Sequence, residues 1–142
     1  MAGPSSTIHG TAVRYADQAV ILIGASGSGK SSLALQLLGL GAQLIADDRV
    51  VLNPADDRPV ASCPPTIEGL IEARGVGILN TPAAEPAPVA LVVDMDTEET
   101  ERLPVQRNVT LGGHILPLLW HIRSPHFPVT LLHILRYGRS TR

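Results

Sequence analysis

Apolar positions along this chain fall in short runs separated by glycine, proline and aspartate, a pattern of strands with few helices. "TIHGTAVRY" (7–15) alternates loosely and stops at the turn signal "ADQ". "AVILIG" (19–24) then reads as a buried strand, and the two runs predict a hairpin. From Ser31 to Leu40, leucines at 33, 35, 37, 38 and 40 predict a buried helix, with Gly41 as its stop. "AQLIADDRVVL" (42–52) is the next strand, interrupted by Asp47, Asp48 and Arg49. "NPADDRP" is a turn-rich loop, and "GLIEARGVGIL" (69–79) is a strand end or a structured loop. "TPAAEPAP" is a connector and "VALVVDMD" (89–96) a strong strand, while "VTLLHILRYG" (129–138) has helical spacing.

Strand, helix, strand and later strand predict an α/β sheet with helices on its faces, mixed in direction because of the early hairpin. The 142 residues suit one domain, and no repeat or second domain is visible. Aromatic residues are only 3%, so the core must be aliphatic. The net charge of −2 offers no global basic field for nucleic acid. No stretch of about 18 apolar residues spans a membrane, and "MAGPSSTIHG" does not read as a signal peptide, so the cytosol is the simplest compartment. A lone cysteine, Cys63, excludes an internal disulfide framework and reads as an ordinary loop thiol. Charge is uneven: residues 94–101 hold five carboxylates, whereas 103–142 hold five arginines and no acid. That is either a solvated acidic loop followed by an arginine-rich surface, or a C-terminal surface that meets an anionic partner.

Gly24 to Ser31 matches G-x-x-x-x-G-K-[ST] in full, between a strand and a helix. Glycines there let the backbone wrap a polyphosphate with its N–H groups turned inward, and the helix aims its positive end at the same place. The binding segment is Gly24, Ala25, Ser26, Gly27, Ser28, Gly29, Lys30, Ser31 and Ser32. Lys30, the only lysine of the chain, reaches the outer phosphates, and the Ser31 hydroxyl can ligate Mg²⁺. Acidic residues are then needed at the end of a neighbouring strand. Asp47 and Asp48 compete with Asp94 for that role; of the pair, one can hold Mg²⁺ or its water while the other takes a proton. Glu72 and Arg74, beside Gly75 and Gly77, suit a charged ligand. The histidines (9, 114, 121, 126 and 133) match no zinc spacing. His9 stands apart because "HG" is expected on the hairpin strand beside the loop, where it could face the γ-phosphate.

Taken in order, "IHGTAV", "GASGSGKSS", "LIADDRV", "IEARGVGI" and "ERLP" resemble the catalytic domain of HPr kinase/phosphorylase, a bacterial protein-serine kinase, in its short proteobacterial form without an N-terminal domain. The resemblance covers about residues 6–107. It implies a single-domain P-loop fold similar to phosphoenolpyruvate carboxykinase, with ATP and Mg²⁺ used to phosphorylate a serine of HPr, the phosphocarrier of the sugar phosphotransferase system. It also implies phosphorolytic removal of that phosphate. The segment linked to that reverse reaction has no clear copy; "LPLLWHIRSPHFPV" occupies its region, with Arg123 a loose candidate. By motif, the resemblance makes His9 the active-site histidine and Lys30 the phosphate-binding lysine. Ser31 and Glu72 become the Mg²⁺ ligands, Asp48 the base in the forward direction, and Arg102 the catalytic arginine. It implies a homo-oligomer, a hexamer. At two positions the chain departs from the family pattern: Ala25 replaces a common aspartate and Ser32 a common glutamate. A small-molecule kinase on a P-loop scaffold and a non-catalytic nucleotide-gated sensor are the alternatives; the Asp48 and Glu72 pairing speaks against the sensor.

Overall fold

A computed structural model describes residues 3–141. The early hairpin forms as expected: β2 (Thr11–Tyr15) runs antiparallel to β3 (Gln18–Ile23). The strand before it does not continue into β2. β1 (Ser6–His9) pairs instead with β5 (Arg49–Asn53), His9 opposite Arg49, so His9 is not on the hairpin strand. The break is at Gly10. A Cβ there would lie 2.9 Å from the Leu22 carbonyl oxygen of β3, and the Gly10 N–H donates to the Asp48 carbonyl. Only a glycine lets the chain pass that close while it changes partner.

The P-loop leads into α1 (Lys30–Gly39), which ends as the sequence predicts. Gly41 takes φ +108, its N–H donates to Leu38, and Ala42 N–H donates to Leu37. These bonds satisfy two of the carbonyls in the last turn of the helix. β4 (Gln43–Ala46) returns against β2, and the chain crosses Asp47 and Asp48 into β5. β6 (Val60–Ser62) follows, then a 3₁₀ turn at Pro65–Ile67. β7 (Leu70–Ala73) and β8 (Gly77–Asn80) form a separate two-stranded ribbon, so the "IEARGVG" segment is a hairpin.

β9 (Ala87–Glu98) is the spine. Its start pairs with β6, its middle runs parallel to β3, and its end runs parallel to β11 (His114–His121). It extends two residues past the strand end read from the sequence at Asp96, so Glu98 as well as Asp94 and Asp96 stands on a strand. β10 (Arg107–Leu111) closes onto β11 through Gly112 and Gly113, both at positive φ. That Gly-Gly turn between alternating residues is the signature the sequence reading passed over. α2 (Phe127–Tyr137) completes the fold.

Alternation along β3 sorts the core into two layers. Val20 and Leu22 pack with Leu33, Leu37, Leu131 and Leu135 of the two helices. Ala19 and Ile21 face Val50, Leu52 and Ala61 of β5 and β6. Both helices therefore lie on one face of the central sheet, and a β1–β5–β6 layer covers the other; the expectation of helices on both faces is corrected. The β-branched, turn-interrupted stretch 49–62 favours strands over a second crossover helix. No helix among the described residues is long and apolar enough to cross a membrane.

The arginine-rich C-terminal half is partly engaged by the chain itself. Arg107 lies 3.4 Å over the Trp120 ring and bonds Glu99 at 3.2 Å. Arg136 lies 4.9 Å over the ring of Tyr15, and Arg142 is outside the described residues. Glu99 is only 6% exposed. Burial pushes its carboxyl upward, but hydrogen bonds from the Glu101 and Thr100 N–H groups and from Arg107 hold it below its ordinary value of 4.5. A depressed carboxyl contributes stability that is complete above its ordinary value and is lost as pH falls through the folded one.

Two measurements follow from this packing. Gly10→Ala forces a backbone shift and lowers stability by about 1–3 kcal/mol. A urea midpoint equal to that of the wild type would refute the close approach. Glu99→Gln flattens the fall of the urea midpoint between about pH 5 and pH 3; identical slopes would show that Glu99 does not stabilise the fold in this range.

Candidate active site

The strand–loop–helix unit opens a cleft of about 640 Å³. One wall is the P-loop, with Ser26, Gly27, Gly29, Lys30, Ser31 and Ser32 facing in. Gly24, Gly27 and Gly29 adopt φ of +145, +84 and +100, values that L side chains rarely take. No atom stands within 4 Å of a hypothetical Cβ on Gly27. The loop therefore curves with an open inner face. Gly24, Ala25 and Ser28 do not line the cleft. Lys30 is buried, and its Nζ donates to the carbonyls of Gly24 and Ala25 at 2.8 and 2.9 Å.

Facing this wall, the two aspartates divide. Asp47 is 8% exposed and turned into the protein. Its Oδ1 accepts from the Ser31 hydroxyl at 2.7 Å and from the Thr11 hydroxyl at 2.9 Å. Its Oδ2 accepts from the Glu72 N–H at 2.9 Å. One carboxylate thus joins the hairpin, the start of α1 and the β7–β8 ribbon. Asp48 points the other way, 71% exposed, with φ +76. A non-glycine residue there carries backbone strain. Its Oδ1 lies 3.3 Å from Nε2 of His9. The strand switch at Gly10 brings His9 to the cleft from the β1 layer, not from the hairpin.

The far wall is the β7–β8 ribbon and the turn before it, with Ile67, Leu70, Glu72, Arg74 and Ile78. His9, Lys30, Ser31, Asp48 and Glu72, five residues singled out in the sequence, thus meet in one cleft. Arg102 does not join them: it is exposed in the segment between β9 and β10 and does not line the cleft. Asp47 lines the cleft, whereas Asp94, the competing carboxylate, does not. It pairs across from Ile23, and its oxygens are taken by the Asp96 N–H and the Thr97 hydroxyl. Sequence reasoning missed Thr11, whose buried hydroxyl has no signal apart from the fold.

Hydroxyl and carboxylate oxygens at Ser31, Asp47 and Glu72 suit a hard cation such as Mg²⁺. Among the described residues no group of three or more His, Cys, Asp or Glu is placed to hold a metal alone. Mg²⁺ characteristically shares its coordination with substrate phosphates. Cys63 plays no comparable part: burial pushes its thiol up, Glu68 adds to this and Arg49 opposes it, which disfavours the thiolate.

The profile of the HPr serine kinase C-terminal domain family matches residues 2–85. HPr kinase/phosphorylase 1 of Oceanobacillus iheyensis is 45% identical over 78 residues, 54% of this chain and 25% of that protein. HPr kinase/phosphorylase of Geobacillus kaustophilus is 37% identical over 107 residues, 70% of this chain and 34% of that protein. The chain therefore spans about a quarter to a third of the length of these relatives. The structure of the Hpr(Ser) kinase/phosphatase from Coxiella burnetii superposes with a TM-score of 0.76 at 23% identity, over 92% of this chain and 88% of that one. It shares the mixed-sheet α/β fold. With the family profile spanning every segment that lines the cleft, this chain belongs to the HPr serine kinase C-terminal domain family.

Proposed function

We propose that the cleft binds ATP with Mg²⁺ and transfers the terminal phosphoryl group to a serine hydroxyl of an HPr-type phosphocarrier protein. One observation carries this reading: a phosphate loop and an exposed carboxylate–histidine pair face the same cleft, separated by the buried Asp47. A loop alone would bind nucleotide; the Asp48–His9 pair adds a group able to accept a proton. The names of the relatives supply the acceptor. Family resemblance also supports a cytoplasmic homo-oligomer.

The residues work in two halves. The loop N–H groups and Lys30 hold the polyphosphate and balance its charge. Ser31, Asp47 and Glu72 would hold Mg²⁺, which supplies further neutralisation of charge at the phosphates. On the acceptor side, the serine oxygen bonds phosphorus as the bond to the ADP oxygen breaks, and the serine proton passes to the Asp48 carboxylate. His9 fixes the direction of that carboxylate. The reverse reaction, with inorganic phosphate as acceptor and pyrophosphate as product, would return the proton from Asp48 to the serine oxygen. Arg102 would act only if the segment carrying it moves to the cleft.

The test measures nucleotide affinity and phosphoryl transfer on one preparation, with HPr, a sugar-acid panel and no acceptor as parallel arms. Transfer to HPr alone is expected. Asp48→Asn keeps Mg-ATP affinity within a few-fold and lowers transfer by about 10²- to 10⁴-fold, the usual contribution of a positioned base. Transfer by this variant near the normal rate would remove Asp48 from the proton step.

A further inference from the structure

β9 outruns its neighbour. Strand β3 ends at Ile23, opposite Asp94, while β9 continues to Glu98 beside the phosphate loop. Its register against β11 also breaks here: Trp120 stands opposite Asp94, but the next residue, His121, stands opposite Glu98. Residues 95–97 therefore bulge out of the ladder. Bulges next to a site commonly re-aim a side chain. This one sends the Asp96 carboxylate to the root of the loop, where both oxygens accept from the Ala25 N–H, at 3.1 and 2.9 Å. The bulge is itself held, because the Asp94 carboxylate takes the Asp96 N–H and the Thr97 hydroxyl. Gly24 admits it: a Cβ there would meet Asp96 Oδ1 and Met95 Cβ at 3.2 Å and Ser28 Oγ at 2.8 Å.

The Ala25 N–H and the Gly24 carbonyl belong to one peptide group. Its N–H end faces Asp96, and its carbonyl end accepts from Lys30 Nζ at 2.8 Å. A single peptide dipole thus lies between an anion and a cation, each favouring the same orientation. Neither Asp96 nor Ala25 lines the cleft, so the carboxylate grips the loop from outside and does not occupy the place of a phosphate.

We propose that Asp96 is a positioning residue for nucleotide binding: it fixes the Gly24–Ala25 peptide and, through that peptide, the place of Lys30. This rests on the phosphate-loop reading above. A carboxylate on the outside of a phosphate loop would otherwise only repel the ligand. Here it organises the loop's root before the ligand arrives, so that less ordering is left for the binding step.

Because Lys30 is the only lysine, ¹³C-lysine labelling of the full chain yields one side-chain resonance to follow. In Asp96→Ala without nucleotide, that resonance moves towards the position of a free lysine side chain. Mg-ATP affinity falls about five- to tenfold, the loss of a charge-assisted hydrogen bond discounted for exposure. Asp96→Asn, whose amide oxygen still accepts the Ala25 N–H, stays within about twofold in affinity and keeps the resonance near its wild-type place. Asp96 is exposed, so neither change opens the core. Unchanged resonance and affinity in Asp96→Ala would overturn the assignment. A wild-type chain that binds no Mg-ATP, while Asp96→Ala still moves the Lys30 signal, would instead refute the nucleotide reading and leave the positioning role standing.

Discussion

The buried carboxylate of Asp47 is the contact on which the site depends. A carboxylate this deeply buried in the floor of a cleft is costly unless hydrogen bonds replace its hydration. Three do: the hydroxyls of Thr11 and Ser31, and the N–H of Glu72. Each hydrogen bond to a charged group is worth about 1.5–3 kcal/mol, and removing one donor leaves the charge undersatisfied. The three donors come from three separate elements: β2, α1 and β7. Meeting Asp47's demand therefore fixes the distance between the phosphate loop and the ribbon that carries Glu72 and Arg74. Asp48, next in the chain, is thrown outward by the left-handed turn that this arrangement needs.

That turn explains why two adjacent aspartates do different work. Asp47 holds the donor side together: each of its oxygens accepts from at least one protein donor, and the carboxylate still lines the cleft. Asp48 is exposed, strained and paired with His9, whose own place depends on Gly10. Strand pairing, helix start and the Asp48–His9 pair thus converge on residues 46–49. The remainder of the fold, with two helices on one face and a second sheet on the other, supports this crossing and the β9 bulge beside the loop.

Much of this was legible in the sequence because it is local. The P-loop pattern, the helix after it, the Gly41 stop and the Asp47–Asp48 interruption are each determined within about ten residues, where glycine conformation and helical spacing speak directly. What failed was non-local. The loose alternation of "TIHGTAVRY" carries no mark that the strand changes partner at Gly10; the cause is the Leu22 carbonyl twelve positions later. The strand read from the sequence stopped at Asp96, where acidic residues accumulate, yet β9 runs on to Glu98, opposite His121 of β11. The β10–β11 hairpin did carry a local signal, Gly112-Gly113, which the mixed polar and apolar residues around it obscured. Asp96 had none: its importance comes from a bulge created by a strand pairing far along the chain. Arg102 is the reverse case. Its motif was legible, but the structure leaves it exposed and away from the cleft.

The central claim is that Asp47 couples the phosphate loop to the cation-binding side of the cleft. The most direct measurement is the affinity of Asp47→Asn for ADP, taken with and without Mg²⁺ and compared with the wild type. Asparagine keeps the shape and one accepting oxygen for Thr11 and Ser31, but its NH₂ cannot accept the Glu72 N–H or ligate a cation. The account predicts that metal-free ADP binds the variant within a few-fold of the wild type, while the strengthening by Mg²⁺ is lost. A variant in which Mg²⁺ strengthens ADP binding as much as in the wild type would contradict it.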